Sequence, residues 1–320
     1  MHSPATELPM ATELPVATVK AIRKTFAETG DDWIQNYPTL LNSYLERWEL
    51  TITGVASGGW PTNLVYFVQT RAGESLVLKM GHPHPESKTE VLALDLYQEV
   101  DAPVARPLER DDAGYGLLLE RLVPGETLRD HIRDEAAIKN ALQLHRDLPK
   151  RATPEGLPRF DEWLTGAFAE YRAGTSIDPQ FLVHIELAES LFESFRHEPD
   201  CLLHGDCHHE NILLDGGRWK AIDPKGVIGP AIIESGRFLH NFIKDERDTP
   251  LEHQDRIDIL QRRCQLAAEV LGYSAQSLAQ VAFIDATLAT CWSVNSGGEV
   301  AEGFAILAAL KPLLSGSSVS

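Results

Sequence analysis

Residues 202–226 read LLHGDCHHENILLDGGRWKAIDPKG. Leu202-Leu203 lead as an apolar run into His204-Gly205-Asp206, four residues separate Asp206 from Asn211, and Ile212-Leu213-Leu214 has the composition of a strand. A turn at Asp215-Gly216-Gly217 precedes a second strand-like run, Trp219-Lys220-Ala221-Ile222, which delivers Asp223. The unit presents two carboxylates and a carboxamide on tightly connected strands. Phosphoryl transfer needs such a set: one aspartate meets the nucleophilic hydroxyl, while an asparagine and a second aspartate hold Mg²⁺ against a triphosphate, because the hard cation prefers oxygen ligands. Asp206, Asn211 and Asp223 fit those roles in that order. Two blander readings stand beside this one. Cys207, His208 and His209 with His204 could form a zinc cluster, although adjacent residues rarely converge on one ion and no second ligand pair with zinc spacing occurs elsewhere. The stretch could also be a plain hairpin with surface carboxylates.

These residues resemble the catalytic and metal-binding loops of the antibiotic kinases that share the protein-kinase fold. His-Gly-Asp in place of His-Arg-Asp, and Ile-Asp-Pro in place of Asp-Phe-Gly, are similar to aminoglycoside phosphotransferases. The continuation Pro224-Lys225-Gly226-Val227-Ile228-Gly229-Pro230, followed by Glu234, Phe238 and Asn241, is most similar to the streptomycin 6-kinase and hydroxyurea kinase branch. The resemblance implies an α+β, protein-kinase-like bilobal fold with a small antiparallel-sheet lobe and a mainly helical one. It divides the chain into a disordered lead at 1–15, a nucleotide-binding lobe at 16–121 and a catalytic and substrate lobe at 122–320.

Composition is permissive. The chain has 320 residues, 43% hydrophobic and 24% charged, as ordinary globular proteins do. Its net charge of −18 argues against nucleic acid as a partner and suits a cationic small substrate. Four cysteines without a framework spacing fit free thiols in a reducing compartment. The N-terminal stretch repeats Ala-Thr-Glu-Leu-Pro at 5–9 and 11–15 and lacks an apolar core of signal-peptide length, and the apolar segment 304–314 is too short to span a bilayer. These features predict a cytoplasmic protein with no membrane partner.

Along the chain, residues 16–27 and 31–47 have helical periodicity, with Pro38 expected to kink or break the second helix. Strand patterns follow at 50–55, 64–70 and 75–79. Between the first two lies Ser57-Gly58-Gly59, where small residues let backbone amides approach phosphates; it resembles the Ser-Gly-Gly loop of antibiotic kinases. Lys79 ends an apolar strand and needs a partner. The helical stretch 86–100 offers Glu90, with Glu86 as the backup. Residues 104–108 and 116–120 read as the last strands of the small lobe, Glu120 to Leu122 as the hinge that meets an adenine edge, and 123–127 as a turn into the large lobe. Helical stretches are expected at 128–147, 160–173, 180–195, 231–244, 251–271, 274–291 and 299–310.

The resemblance implies ATP, with GTP as the alternative donor, and Mg²⁺. Ser57, Gly58, Gly59 and Lys79 would meet the phosphates, with Glu90 orienting Lys79; Asn211 and Asp223 would bind Mg²⁺, and Asp206 would accept the hydroxyl proton. Only ten residues separate Asp223 from Glu234, too few for a phosphorylatable activation segment, which favours a small-molecule acceptor over a protein. Candidate acceptor contacts are Glu234, Asp161, Glu162 and Glu299, with Trp163 and Trp292 as flat surfaces. The expected activity is O-phosphorylation of an aminoglycoside, streptomycin at its 6-hydroxyl, conferring resistance. A kinase of a small metabolite and a non-catalytic nucleotide-binding module are the alternatives.

Overall fold

A computed structural model describes residues 14–56, 62–111, 116–131, 135–151, 154–174, 177–241, 251–298 and 300–315. The chain divides into two compact units, Met1–Gln98 with Ala105–Leu122, and Glu99–Val104 with Val123–Ser320. Glu99–Val104 joins the second unit because Ala221 N–H donates to the Pro103 carbonyl at 2.8 Å and Val104 bridges Ala221.

The first unit is an antiparallel sheet of order β1-β2-β3-β5-β4, made by β1 (Leu50–Val55), β2 (Asn63–Thr70), β3 (Ser75–Gly81), β4 (Pro107–Arg110) and β5 (Gly116–Glu120). Alternation sends Leu64, Tyr66 and Val68 of β2, and Leu76, Leu78 and Met80 of β3, into one core. That core is shared with Ile22 of α1 (Val16–Thr25) and Trp33, Tyr37, Leu41 and Tyr44 of α2 (Gly30–Arg47). The two N-terminal helices therefore pack on the sheet. Pro38 sits inside α2 without ending it, so the expected break does not occur. An interior proline costs ~3 kcal/mol, whereas full burial of each large apolar side chain returns ~1.5–3 kcal/mol; Tyr37, Leu41 and Tyr44 together outweigh it. Gly116 opens β5 where an added Cβ would lie 2.6 Å from the Tyr44 ring. α3 (Pro85–Glu99) completes the unit.

The second unit is mainly helical. β6 (Pro124–Thr127) occupies the stretch expected to be a turn, and a 3-10 turn at Leu128–His131 precedes α4 (Glu135–Asp147), where one continuous helix was expected. α5 (Phe160–Ala173) and α6 (Pro179–Phe192) follow, then β7 (Asp200–Leu203), β8 (Ile212–Asp215), β9 (Arg218–Ala221) and β10 (Val227–Pro230). β6, β8 and β9 form one small sheet, and β7 pairs with β10 in another. A 3-10 turn at Ala231–Glu234 leads into α7 (Ser235–His240), followed by α8 (His253–Leu271), α9 (Ala275–Asn295) and α10 (Ala301–Leu310). Among the described helices, α9 alone is long and apolar enough to cross a bilayer, but 67% of that apolar window is buried inside the unit. It is the central core helix, packed by α5, α6, α7, α8 and α10.

Candidate active site

The loop from His204 to Asn211 leaves β7 and returns into β8, and His204 pins it. The ring is fully buried. Its Nε2–H donates to the Ile222 carbonyl at 2.8 Å, while Nδ1 accepts the Asp206 N–H at 3.3 Å, a pattern that assigns the neutral Nε2–H tautomer. Burial pushes this imidazole down to about 4, so it stays neutral. The His204 carbonyl accepts from Lys225 and Gly226 N–H at 2.8 and 3.2 Å, which ties the loop to the segment after Asp223. Gly205 has φ +80°, and a Cβ there would come within 2.9 Å of Val227 and 3.1 Å of Trp163, so only glycine fits.

Asp206 and Asn211 are joined directly: the Asn211 side-chain Nδ2 donates to the Asp206 carbonyl at 2.9 Å. That bond fixes the amide and turns its Oδ1 the other way. The Asn211 carbonyl accepts the Ile222 N–H at 2.9 Å, which brings the chain entering Asp223 alongside. Asp223 has φ 59°, a left-handed conformation that a non-glycine residue adopts only where its surroundings impose it. Structure thus gathers Asp206, Asn211 and Asp223 at one loop and its neighbouring strand end. In the first unit, Lys79 of β3 and Glu90 of α3 form an ion pair, Nζ to Oε1 2.7 Å, with side chains 8% and 15% exposed.

Other expected site residues fall differently. Ser57, Gly58, Gly59 and Glu299 lie outside the described residues. Glu120 Oε1 accepts the Arg106 N–H at 2.9 Å, and Leu122 is buried. Asp161 is engaged by Arg159 and Arg196 at 3.2 and 3.9 Å, and the Glu162 carboxylate accepts the Arg159 N–H at 2.9 Å as part of the α5 cap. Both are engaged at the start of α5 and remain open to solvent. Glu234, by contrast, is corrected as an acceptor contact. Only 3% exposed, it accepts the His204 N–H at 2.6 Å and braces the loop from behind; burial raises its pKa to about 8 against the opposing pull of the His204 and Gly205 N–H groups.

The zinc reading does not assemble either. His208 turns toward Asp206, at 4.0 Å, while His209 stacks on Phe238 at 4.3 Å. A different trio, His145, Cys207 and Glu234, brings its donor atoms within 4.8 Å of one another. Burial holds that imidazole down at about 3 and the thiol far up, as in a neutral packed cluster.

Trp163 and Trp292 do meet, ring centroids 5.4 Å apart and edge to face, and Trp163 lies against Gly205. Between Trp292 and Asp206 stands Arg237, which sequence reasoning missed. Its guanidinium lies 5.7 Å over Trp292, and its Nε is 3.9 Å from Asp206 Oδ1 and 2.8 Å from Asp285 Oδ2. The one available signal was Asp285 itself, the single charged residue in α9, which demands a partner when buried.

Residues 47–297 match the family described as aminoglycoside/hydroxyurea antibiotic resistance kinase. The chain belongs to that family. It is accordingly a kinase. A streptomycin 6-kinase of Streptomyces glaucescens is 28% identical over 300 residues, covering 92% of this chain and 95% of the relative. A hydroxyurea phosphotransferase of Kitasatospora aureofaciens is 32% identical over 224 residues, 68% of this chain and 65% of the relative. Among solved structures, the choline kinase LicA of Streptococcus pneumoniae superposes with a TM-score of 0.63 at 12% identity, over 88% of this chain and 100% of that one. An aminoglycoside phosphotransferase in ternary complex with ADP and hygromycin B gives 0.59 at 14% identity, over 87% and 99%. The antibiotic resistance kinase thus has the protein-kinase-like α+β fold expected from its catalytic loop.

Proposed function

We propose that this kinase transfers the γ-phosphoryl group of ATP, with Mg²⁺, to a hydroxyl of a cationic aminoglycoside, streptomycin at its 6-position, and so confers resistance in the cytoplasm. The observation that carries the chemistry is the shared anchoring of Asp206 and Asn211. A base and a metal ligand held by one hydrogen bond, beside the backbone strain at Asp223, form a preorganised set that binding alone would not need. That argues against a non-catalytic nucleotide module.

The donor chemistry fits Mg²⁺. Asn211 offers a carbonyl oxygen because its amide nitrogen is committed to Asp206, and Asp223 offers a carboxylate, both hard oxygen ligands. Bound there, Mg²⁺ supplies neutralisation of charge on the phosphates. Asp206, 24% exposed at its side chain, orients the acceptor hydroxyl and takes its proton. Lys79, held by Glu90, binds phosphate oxygens of the nucleotide. The streptomycin assignment is supported by the relative matched over nearly its whole length. The cytoplasmic assignment is supported by four free, buried cysteines.

Purified protein with MgATP and streptomycin should yield a streptomycin phosphate by mass spectrometry, and Asp206→Asn should lower its rate about 10³-fold while leaving a measurable residual rate. A turnover requirement for a different alcohol, found by acceptor screening, would replace streptomycin and keep the kinase chemistry. Full turnover by Asp206→Asn would remove the proposed base. Competition between ATP and GTP in the same assay identifies the donor.

A further inference from the structure

We infer that Arg237 is a positioning residue for Asp206, held in place by Asp285 and His240. This rests on the proposed role of Asp206 as the acceptor base. Arg237 enters from α7 with its side chain only 16% exposed. A buried guanidinium is costly unless matched. Asp285 of α9 matches it: Nε lies 2.8 Å from Oδ2, and Nη2 donates to Oδ1 at 3.5 Å. On the far side, His240 Nε2 lies 2.6 Å from Asp285 Oδ2, so the carboxylate is gripped from two directions and cannot swing away. The result is a line of contacts from His240 through Asp285 and Arg237 to Asp206, linking the core helix to the loop.

The distance at the end of this line decides what it does. At 3.9 Å from Asp206 Oδ1, the Arg237 Nε attracts the carboxylate without occupying it in a direct hydrogen bond. A bidentate arginine pair would take up the lone pairs that an acceptor hydroxyl needs. Here the attraction sets the direction of the carboxylate and leaves its oxygens available. Asp285 also cancels the charge of Arg237, so a cationic acceptor meets no net repulsion from the pair. Trp292, under the guanidinium at 5.7 Å, limits its movement on the remaining side.

The test compares wild type, Arg237→Gln, Arg237→Lys, Asp206→Asn and the double variant Asp206→Asn/Arg237→Gln as full chains. Each is assayed for streptomycin phosphorylation and for acceptor-independent MgATP hydrolysis, and normalised to the fraction that binds a fluorescent ADP analogue. Arg237→Gln should lower kcat about 100-fold, the scale of a misdirected catalytic group, with KM for ATP changed less than about 2-fold. Arg237→Lys should recover part of the loss. In the Asp206→Asn background, Arg237→Gln should cost nothing further, because its effect passes through the missing carboxylate. Equal losses in both backgrounds would assign Arg237 a structural role and overturn the inference, as would an unchanged kcat in Arg237→Gln while Asp206→Asn is strongly impaired. Unchanged turnover in Asp206→Asn would instead overturn the proposed base, and with it the inference.

Discussion

Replacing Glu234 by glutamine separates hydrogen bonding from titration in one buried side chain. The carboxyl group accepts the His204 N–H at 2.6 Å, and burial raises its pKa from 4.5 to about 8. A carboxyl group whose folded pKa lies above its unfolded one binds more protons in the folded state. Its stabilising contribution is complete below about 4.5, declines as pH rises, and is lost above about 8. Between pH 5 and pH 8 the change amounts to ~3.5 kcal/mol, from 1.36 kcal/mol per unit and the rounding of the titration at both ends. Glutamine keeps a carbonyl acceptor for His204 but does not titrate. The unfolding free energy of the wild type relative to Glu234→Gln should therefore fall by ~3.5 kcal/mol across that range. Taking the difference removes the buried histidines, whose slopes run the other way. His145 and His204, pushed by burial to about 3 and about 4, contribute fully above about 6.5 and lose that contribution as pH falls. Urea unfolding followed by tryptophan fluorescence at pH 5, 6, 7 and 8 measures the difference. A constant offset between the two proteins over all four conditions would refute the reasoning.

Four further outcomes are expected. Glu90→Gln removes the carboxylate 2.7 Å from Lys79, whose side chain is 8% exposed, and should weaken ATP binding about 10-fold, or ~1.4 kcal/mol, in a fluorescent-nucleotide titration; unchanged affinity would take the pair out of nucleotide binding. Asp223→Asn should raise the Mg²⁺ concentration for half-maximal turnover by at least ~10-fold, since even outer-shell changes reach that scale, and an unaltered Mg²⁺ dependence would exclude Asp223 as a ligand. Trp292→Ala removes the ring under the Arg237 guanidinium, a contact worth ~0.5–2 kcal/mol, and should lower kcat with the KM for ATP unmoved; an unchanged kcat would show that Arg237 needs no support from that ring. Gly116→Ala would place a Cβ 2.6 Å from the Tyr44 ring and should destabilise by ~1–3 kcal/mol in a thermal melt, with no change expected if α2 shifted freely.

What could be read without coordinates was local. The loop and its turn lie in one continuous stretch, so the types and order of Asp206, Asn211 and Asp223 are visible as a motif, and the alternating strands around Lys79 announce a half-buried sheet. Glu90 was legible because a buried lysine at the end of an apolar strand needs an acid on the next element. Local rules failed where long-range packing outweighed them: Pro38 continues its helix because the face around it is buried on the sheet. A carboxylate in sequence looks the same whether it meets a substrate or a backbone amide, and only the fold turned Glu234 inward to His204 and Glu162 onto its own helix cap. Arg237 and Asp285 are 48 residues apart, and Trp163 meets Trp292 from another helix altogether. Periodicity and motif spacing are one-dimensional signals, so chemistry and helix faces were determined by the sequence itself; which charges and rings share the space around Asp206 was decided by how α5, α7 and α9 pack.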